Sequence, residues 1–319
     1  MIRRVVSIAI LAVLPVVCSG CISISTFGGG RMEEVVVKAS PRWWEPDRIA
    51  LIDVDGFLGV EDTWLLSGTT VADVREKLER AAGDSGVRAI VVRINSPGGE
   101  ASASDVIYQE IRRFRSETGK PVVAALMGTA ASGGYYVALA ADRIVASPTT
   151  VTGSVGVIMQ LMNVEGLFGK VGLRSDTIKS GEKKDIGSPT RPMTDEEREI
   201  LQGVIGALFD RFLDAVEERR PTMTDSDLAA VADGRILTAE QALQIHMVDR
   251  VGYLEDALAE AMALAGVEDA DVILYRPFPH YNTNVYAVAP TETGLIEHGL
   301  NLLLRRRGPA FLYLWSPGL

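Results

Sequence analysis

The chain has 319 residues, 47% hydrophobic and 23% charged, and carries a formal net charge of −10 at pH 7. This composition excludes a disordered chain and leaves ample length for a buried core, while the acidic balance argues against nucleic acid as a partner, because phosphate binding needs clustered lysine and arginine. The two cysteines, Cys18 and Cys21, both stand near the N-terminus, and His246, His280 and His298 are scattered, so neither an internal disulfide nor a metal or other cofactor is expected.

Residues 1–21 read as a membrane leader. Arg3 and Arg4 open it, 5–17 is apolar apart from Ser7 and Pro15, and Ser19-Gly20 precede Cys21. This ending resembles a bacterial lipoprotein signal, in which the chain is cut before Cys21 and that cysteine carries lipid, although position 18 holds Cys where such signals usually hold Leu. An uncleaved anchor helix over 5–24 is an alternative, since its span of roughly 30 Å at ~1.5 Å per residue just crosses a bilayer. A plain secretory signal is another. All three put the globular part on the extracytoplasmic side of a bacterial cell membrane.

Residues 22–47 read as a linker, with Gly28-Gly29-Gly30 and Pro41-Arg42-Trp43-Trp44. From there to 275 the pattern is that of one globular domain. A buried strand is predicted over 49–54 and a helix over 70–82, with Val71, Val74, Leu78 and Ala81 on one face. The β-branched run 87–94 reads as a fully buried strand. Asn95-Ser96-Pro97-Gly98-Gly99 follows as a tight turn, then a helix over 102–116 capped by Ser102 or Ser104. Another buried strand covers 121–127, a small-residue helix 132–140 and a short strand 143–146. Strands alternating with helices predict an α/β fold with a mostly parallel sheet. Thereafter helices are predicted from Thr194 to about 218, over 225–232, 238–246 and 254–264, then a strand over 272–275. The tail 276–319 holds a helix candidate over 295–304 followed by Arg305-Arg306-Arg307; it either covers the core or lies on a membrane or a neighbouring subunit.

The chemistry concentrates in a few glycine-rich stretches. Ala130-Ala131-Ser132-Gly133-Gly134-Tyr135-Tyr136 presents a hydroxyl among residues too small to bury it, where a strand gives way to a helix. A serine becomes a nucleophile only when a base takes its proton. His246 sits in a helical pattern, His280 and His298 lie in the tail, and no Gly-x-Ser-x-Gly elbow surrounds Ser132, so a histidine triad is weakly supported. Ser180-Gly181-Glu182-Lys183-Lys184-Asp185 offers a lysine instead. A lysine that serves as base must be uncharged near neutrality, so its pKa has to fall by roughly 2–3 pH units, at ~1.4 kcal/mol each, by burial away from carboxylates. Such an amine needs a polar partner, and Ser154 in Thr152-Gly153-Ser154-Val155-Gly156 is one. Two backbone N–H groups must also face the developing oxyanion; Gly133 and Gly99 are the candidates.

Asn95-Ser96-Pro97-Gly98-Gly99, Ala130 to Tyr136, Thr152-Gly153-Ser154-Val155-Gly156-Val157 and Ser180 to Asp185, in this order and spacing, resemble the signal peptide peptidase A (SppA-type) family of serine peptidases. Asp233-Gly234-Arg235 and Val248-Asp249-Arg250-Val251-Gly252 are similar to later blocks of that family. The resemblance spans roughly 48–275. It implies a ClpP/crotonase-like fold of repeated ββα units followed by helices, and a Ser/Lys dyad with Ser132 as nucleophile, Lys184 as base, Ser154 orienting the lysine, and Gly133 and Gly99 in the oxyanion hole. It further implies a membrane-associated endopeptidase acting on signal peptides and other small or unfolded chains, in the single-unit form that assembles into homo-oligomeric rings. The alternatives are a crotonase-like acyl-CoA enzyme, which needs no Ser/Lys pair and would meet no CoA after export, and a non-catalytic membrane scaffold, for which Ser132 or Lys184 need not have been present.

Overall fold

A computed structural model describes residues 32–41, 47–60, 68–276 and 311–315. The leader with Cys21 and the helix candidate over 295–304 lie outside the described residues. The chain divides into two compact units: Met1–Glu33 with Pro277–Tyr281, almost wholly outside that description, and Glu34–Arg276 with Asn282–Leu319, which carries the architecture below.

The central strands are β2 (Asp47–Gly59), β4 (Val87–Glu100), β5 (Val122–Ala131) and β6 (Arg143–Ala146), paired parallel in that order. Helices cover both faces, which explains why these strands read as unbroken apolar runs. Ile49, Leu51, Ala89, Val91, Val123 and Ala125 form one core with Ala257, Leu258 and Ala261 of the late helix Leu254–Ala265. The alternate residues Ala50, Ile52, Ile90, Val92 and Ala124 are equally buried on the opposite face. Helices α1 (Val71–Gly83) and α2 (Ala101–Thr118) pack against each other and against β2 and β4. Thr70 and Asp73 form a reciprocal cap on α1, so the predicted start of that helix holds within a residue.

Further strands enlarge the sheet to eleven among the described residues. β1 (Glu33–Lys38), inside the stretch read as linker, flanks β10 (Ala270–Arg276), which itself pairs parallel to β2. β3 (Gly68–Thr70) adds to β2. β7 (Val151–Gly153) runs parallel to the end of β5 and is joined by β8 (Ile236–Thr238), while β9 (Arg250–Val251) pairs with β6. β11 (Leu312–Leu314) runs antiparallel to the end of β4, so this part of the tail is a strand and not irregular chain.

Two local readings are corrected. The Pro-Gly-Gly stretch is not a tight turn, because β4 continues through it with β2 and β11 on either side. Nor does a serine cap α2: the cap position is Glu100, directly at the strand end, and the Ser104 hydroxyl donates 3.0 Å back to the Glu100 carbonyl. The strand passes straight into the helix and leaves no loop for a separate cap.

Candidate active site

Between the end of β5 and helix α3 (Gly133–Ala138) the chain turns at Ser132, with φ 52° and ψ −117°. A positive φ in a residue with a side chain costs on the order of 1–3 kcal/mol and persists only where its surroundings enforce it. Here the Ser132 amide donates to the Gly153 carbonyl at 2.8 Å, and its carbonyl accepts from the Tyr136 amide at 2.9 Å. The residue is 1% exposed. Although Ser132 occupies the cap position of α3, its hydroxyl makes no cap bond, so the side chain is not held in a structural role there.

Gly133 meets Gly98, the neighbour of Gly99, at this turn, and the reason for glycine at 99 differs from the sequence expectation. A Cβ on Gly99 would collide with the Leu58 carbonyl oxygen of β2, so close strand packing already demands glycine. Gly98 is doubly constrained. Its φ is +102°, and a Cβ there would strike the Tyr313 carbonyl oxygen and lie 2.7 Å from the Gly133 amide nitrogen. The Gly133 amide, the Gly98-Gly99 strand and the nucleophile turn therefore line one small space.

Ser154 is brought beside Ser132 by the pairing of β5 and β7, in which Ala131 faces Gly153. It too has positive φ, at 51°, is 9% exposed, and is pinned by its amide donating 2.7 Å to the Arg235 carbonyl. Two strained serines thus end two adjacent strands.

Lys184 stands apart. It lies in a 3-10 turn (Glu182–Asp185) without a buried residue, and its side chain is exposed, contrary to the dry niche that the sequence reading required. The turn itself is well tethered. Arg191, and after it Lys179, hold the Asp185 carboxyl well below the usual carboxylate range, and Arg191 pulls Glu197 down to about 2. Lys183 pairs with Glu196. Of the cations Lys179, Lys183, Lys184 and Arg191, only Lys184 has no carboxylate partner among the described residues.

No contact among the described residues links Lys184 to Ser132. The segment between Ser154 and the lysine, including α4 (Glu165–Lys170), buries little: Met162 is 77% exposed and Ile178 wholly so. His246 has φ 63° and presents its carbonyl to Arg220 at 2.6 Å, a turn and packing role rather than that of a base.

A feature absent from the sequence reading lies under the nucleophile turn. Tyr136 stacks with Tyr108 at 4.9 Å, with Phe212 of α5 (Asp195–Arg219) at 4.9 Å and with Tyr313 of β11 at 5.3 Å between ring centroids. The unbroken apolar run Phe311-Leu312-Tyr313-Leu314-Trp315 was the available signal for a short buried strand.

A family model described as Peptidase family S49 matches residues 115–268, and one described as Clp protease matches residues 68–152. The second match runs from β3 into β7 and assigns the sheet to the ClpP-like fold class. A putative protease of Synechocystis sp. is 39% identical over 71% of this chain and 78% of its own length. A putative protease of Methanocaldococcus jannaschii is 41% identical over 60% of this chain and 61% of its own. A putative signal peptide peptidase SppA of Enterococcus faecium is 36% identical over 63% of this chain and 58% of its own. The chain thus spans about three fifths of the length of the last two relatives.

Proposed function

The chain belongs to peptidase family S49, with SppA-type relatives, and on that footing we propose that it is a membrane-associated serine endopeptidase with a Ser132/Lys184 dyad. The observation that carries the proposal is Ser132, held at positive φ with an uncapped hydroxyl, next to the Gly133 amide and the Gly98-Gly99 strand. Strain concentrated on a nucleophilic side chain at a strand-to-helix turn has no structural use here and fits an acyl-transfer site.

In this reading the neutral Lys184 amine takes the Ser132 proton as Oγ attacks a peptide carbonyl carbon. The electron pair moves to the carbonyl oxygen, which the amides of Gly133 and Gly99 stabilise. The ammonium then protonates the departing amine, leaving an acyl-serine; a water molecule deprotonated by the same lysine attacks the acyl carbon, and Ser132 Oγ leaves with the proton returned by the ammonium as the acid product is released. Ser154 orients the amine. Since Lys184 is exposed in the single chain, the wall that dries it comes from a neighbouring copy or from bound substrate, and the exposed apolar side chains of Met162, Leu167, Val171, Leu173 and Ile178 supply a surface for such a cover. A homo-oligomeric ring meets that need. Signal peptides and unfolded chains suit a site that takes extended backbone, and the leader with Cys21 would bring the enzyme to the membrane where they arise.

The test is labelling by a fluorophosphonate probe. Wild-type protein labels at Ser132, and the Ser132→Ala variant does not. Labelling that persists in the variant assigns the nucleophile elsewhere.

A further inference from the structure

Away from the nucleophile turn, arginines gather where α2 and α5 end. An open cleft of about 520 Å³ is lined by Gln109, Arg112, Arg113, Arg115 and Ser116 of α2 and by Arg219, the last residue of α5. Each of these side chains can donate hydrogen bonds, and no carboxylate is among them. In a chain of net charge −10, four guanidiniums around one cleft reverse the sign locally.

Part of the arrangement is helix capping. Arg219 donates to the carbonyls of Leu139 and Ala141, both at 2.9 Å, and Arg115 donates to that of Ala140 at 2.8 Å. The two cations thus hold the chain just beyond α3, as cations do at the carbonyl end of a helix. Capping leaves charge over. Arg112 is paired with Glu218 at 2.7 Å, and Arg115 is paired with Asp142. Glu110, however, is shared between Arg113 and Arg75, and Glu117 reaches Arg113 only at 3.9 Å. Arg219 has no carboxylate partner among the described residues, and its Nη1 makes no bond there. Burial, and after it the charge of Arg115, lowers the Arg219 guanidinium from its ordinary value. A half-buried cation among like charges is stabilised by an anion placed between them.

The cluster is also preoriented. The Arg112 guanidinium lies 5.4 Å from the Tyr108 ring centroid and donates to the Tyr108 hydroxyl at 3.1 Å, while Arg115 and Arg219 are fixed by the carbonyls they cap. We infer that the cleft is a binding site for a multiply charged phosphate group, presented by a soluble phosphate compound or by a phospholipid headgroup. A planar carboxylate engages one guanidinium fork, whereas a phosphate offers oxygens to several at once. The site lies past the end of α3 that is away from Ser132, and the inference does not rest on the peptidase reading.

The experiment titrates inorganic pyrophosphate into the full chain by calorimetry, in about 0.1 M NaCl so that diffuse surface attraction is screened. Wild type binds one equivalent with a Kd below about 1 mM. Arg113→Gln and Arg219→Gln each weaken binding at least ~10-fold, as loss of a charge-assisted contact does. Arg113 is exposed, so its variant serves should removal of Arg219 unfold the chain. Glu218→Gln, which releases Arg112, tightens binding roughly threefold, a gain that a purely structural cluster does not produce. Displacement of pyrophosphate by dissolved short-chain phosphatidylglycerol, and not by phosphatidylcholine of equal chain length, makes the headgroup the source. Binding untouched by either lipid makes it a soluble phosphate compound. Absence of saturable pyrophosphate binding, or a Kd that all three folded variants leave unchanged, overturns the inference.

Discussion

The two halves of the proposed dyad are built from different material. Ser132 ends a buried strand of the central sheet; its backbone is bonded to β7 and to its own helix, and its neighbours Gly99, Gly133 and Ser154 are placed by strand registers that tolerate no side chain or no slippage. Lys184 sits on a short turn without a buried residue, fastened by ion pairs of Arg191, Lys179 and Lys183. Packing in a close-packed core defines the first half to a few tenths of an ångström. The second half is positioned by exposed charges, which contribute little each. One half is built into the core and the other is held at the surface by ion pairs.

That contrast can be broken most sharply at the dyad. Ser132→Ala lowers kcat/KM by at least ~10³-fold, and Lys184→Ala by a comparable factor, in a peptide-cleavage assay. Both variants keep the thermal midpoint of wild type, since one deletes an unbonded hydroxyl and the other an exposed side chain. Lys183→Ala, one residue away, changes the rate less than tenfold; a loss equal to that of Lys184→Ala would reassign the base. Because a lysine works as base only when unprotonated, wild-type activity falls as pH drops, up to tenfold per unit on the acid limb.

On the sheet half the largest effect is steric. Gly98→Ala puts a Cβ at φ +102° against backbone and destabilises the protein by about 1–3 kcal/mol, read as a lower urea midpoint with unchanged slope. On the lysine half the corresponding change acts on assembly. Replacing the fully exposed Ile178 with Asp leaves the chain folded but reduces the particle mass by light scattering and lowers activity in parallel. A monomeric but fully active variant would remove the covering role of this surface.

The smallest effect concerns the charges that hold the turn. Arg191 and Lys179 hold the Asp185 carboxyl below its unfolded range of ~3.9, so its contribution is present above that value and is lost only as pH falls through the lower, folded one. Glu197, drawn down to about 2, behaves likewise. Mild acid therefore leaves the turn in place. Asp185→Asn shortens that margin, and amide hydrogen exchange over 182–191 at pH 5 then rises modestly above wild type, while global stability hardly moves.

Much of this was legible in the chain itself. The central strands and long helices follow from apolar periodicity, because a strand buried on both faces has no choice of residue. Ser132, Gly99, Gly133 and Ser154 stood out because a small residue in a glycine-rich context has few other uses. What escaped were β11 and the shorter strands β3, β7, β8 and β9, whose two or three residues are too few to carry a period of their own and are made strands by the edge they dock on.

The amino-acid sequence alone determined the family and the parallel core and put Ser132 forward as the proposed nucleophile, because these depend on local pattern and on which chemistry each side chain owns. Only the tertiary structure decided that Gly99 is glycine for the sake of β2, that Lys184 is exposed, and that Tyr313, from the far end of the chain, packs under the nucleophile turn. Each of those facts depends on backbones brought together from distant positions, and hydrogen-bond registers and steric contacts of that kind leave no trace in the spacing of residues along the chain.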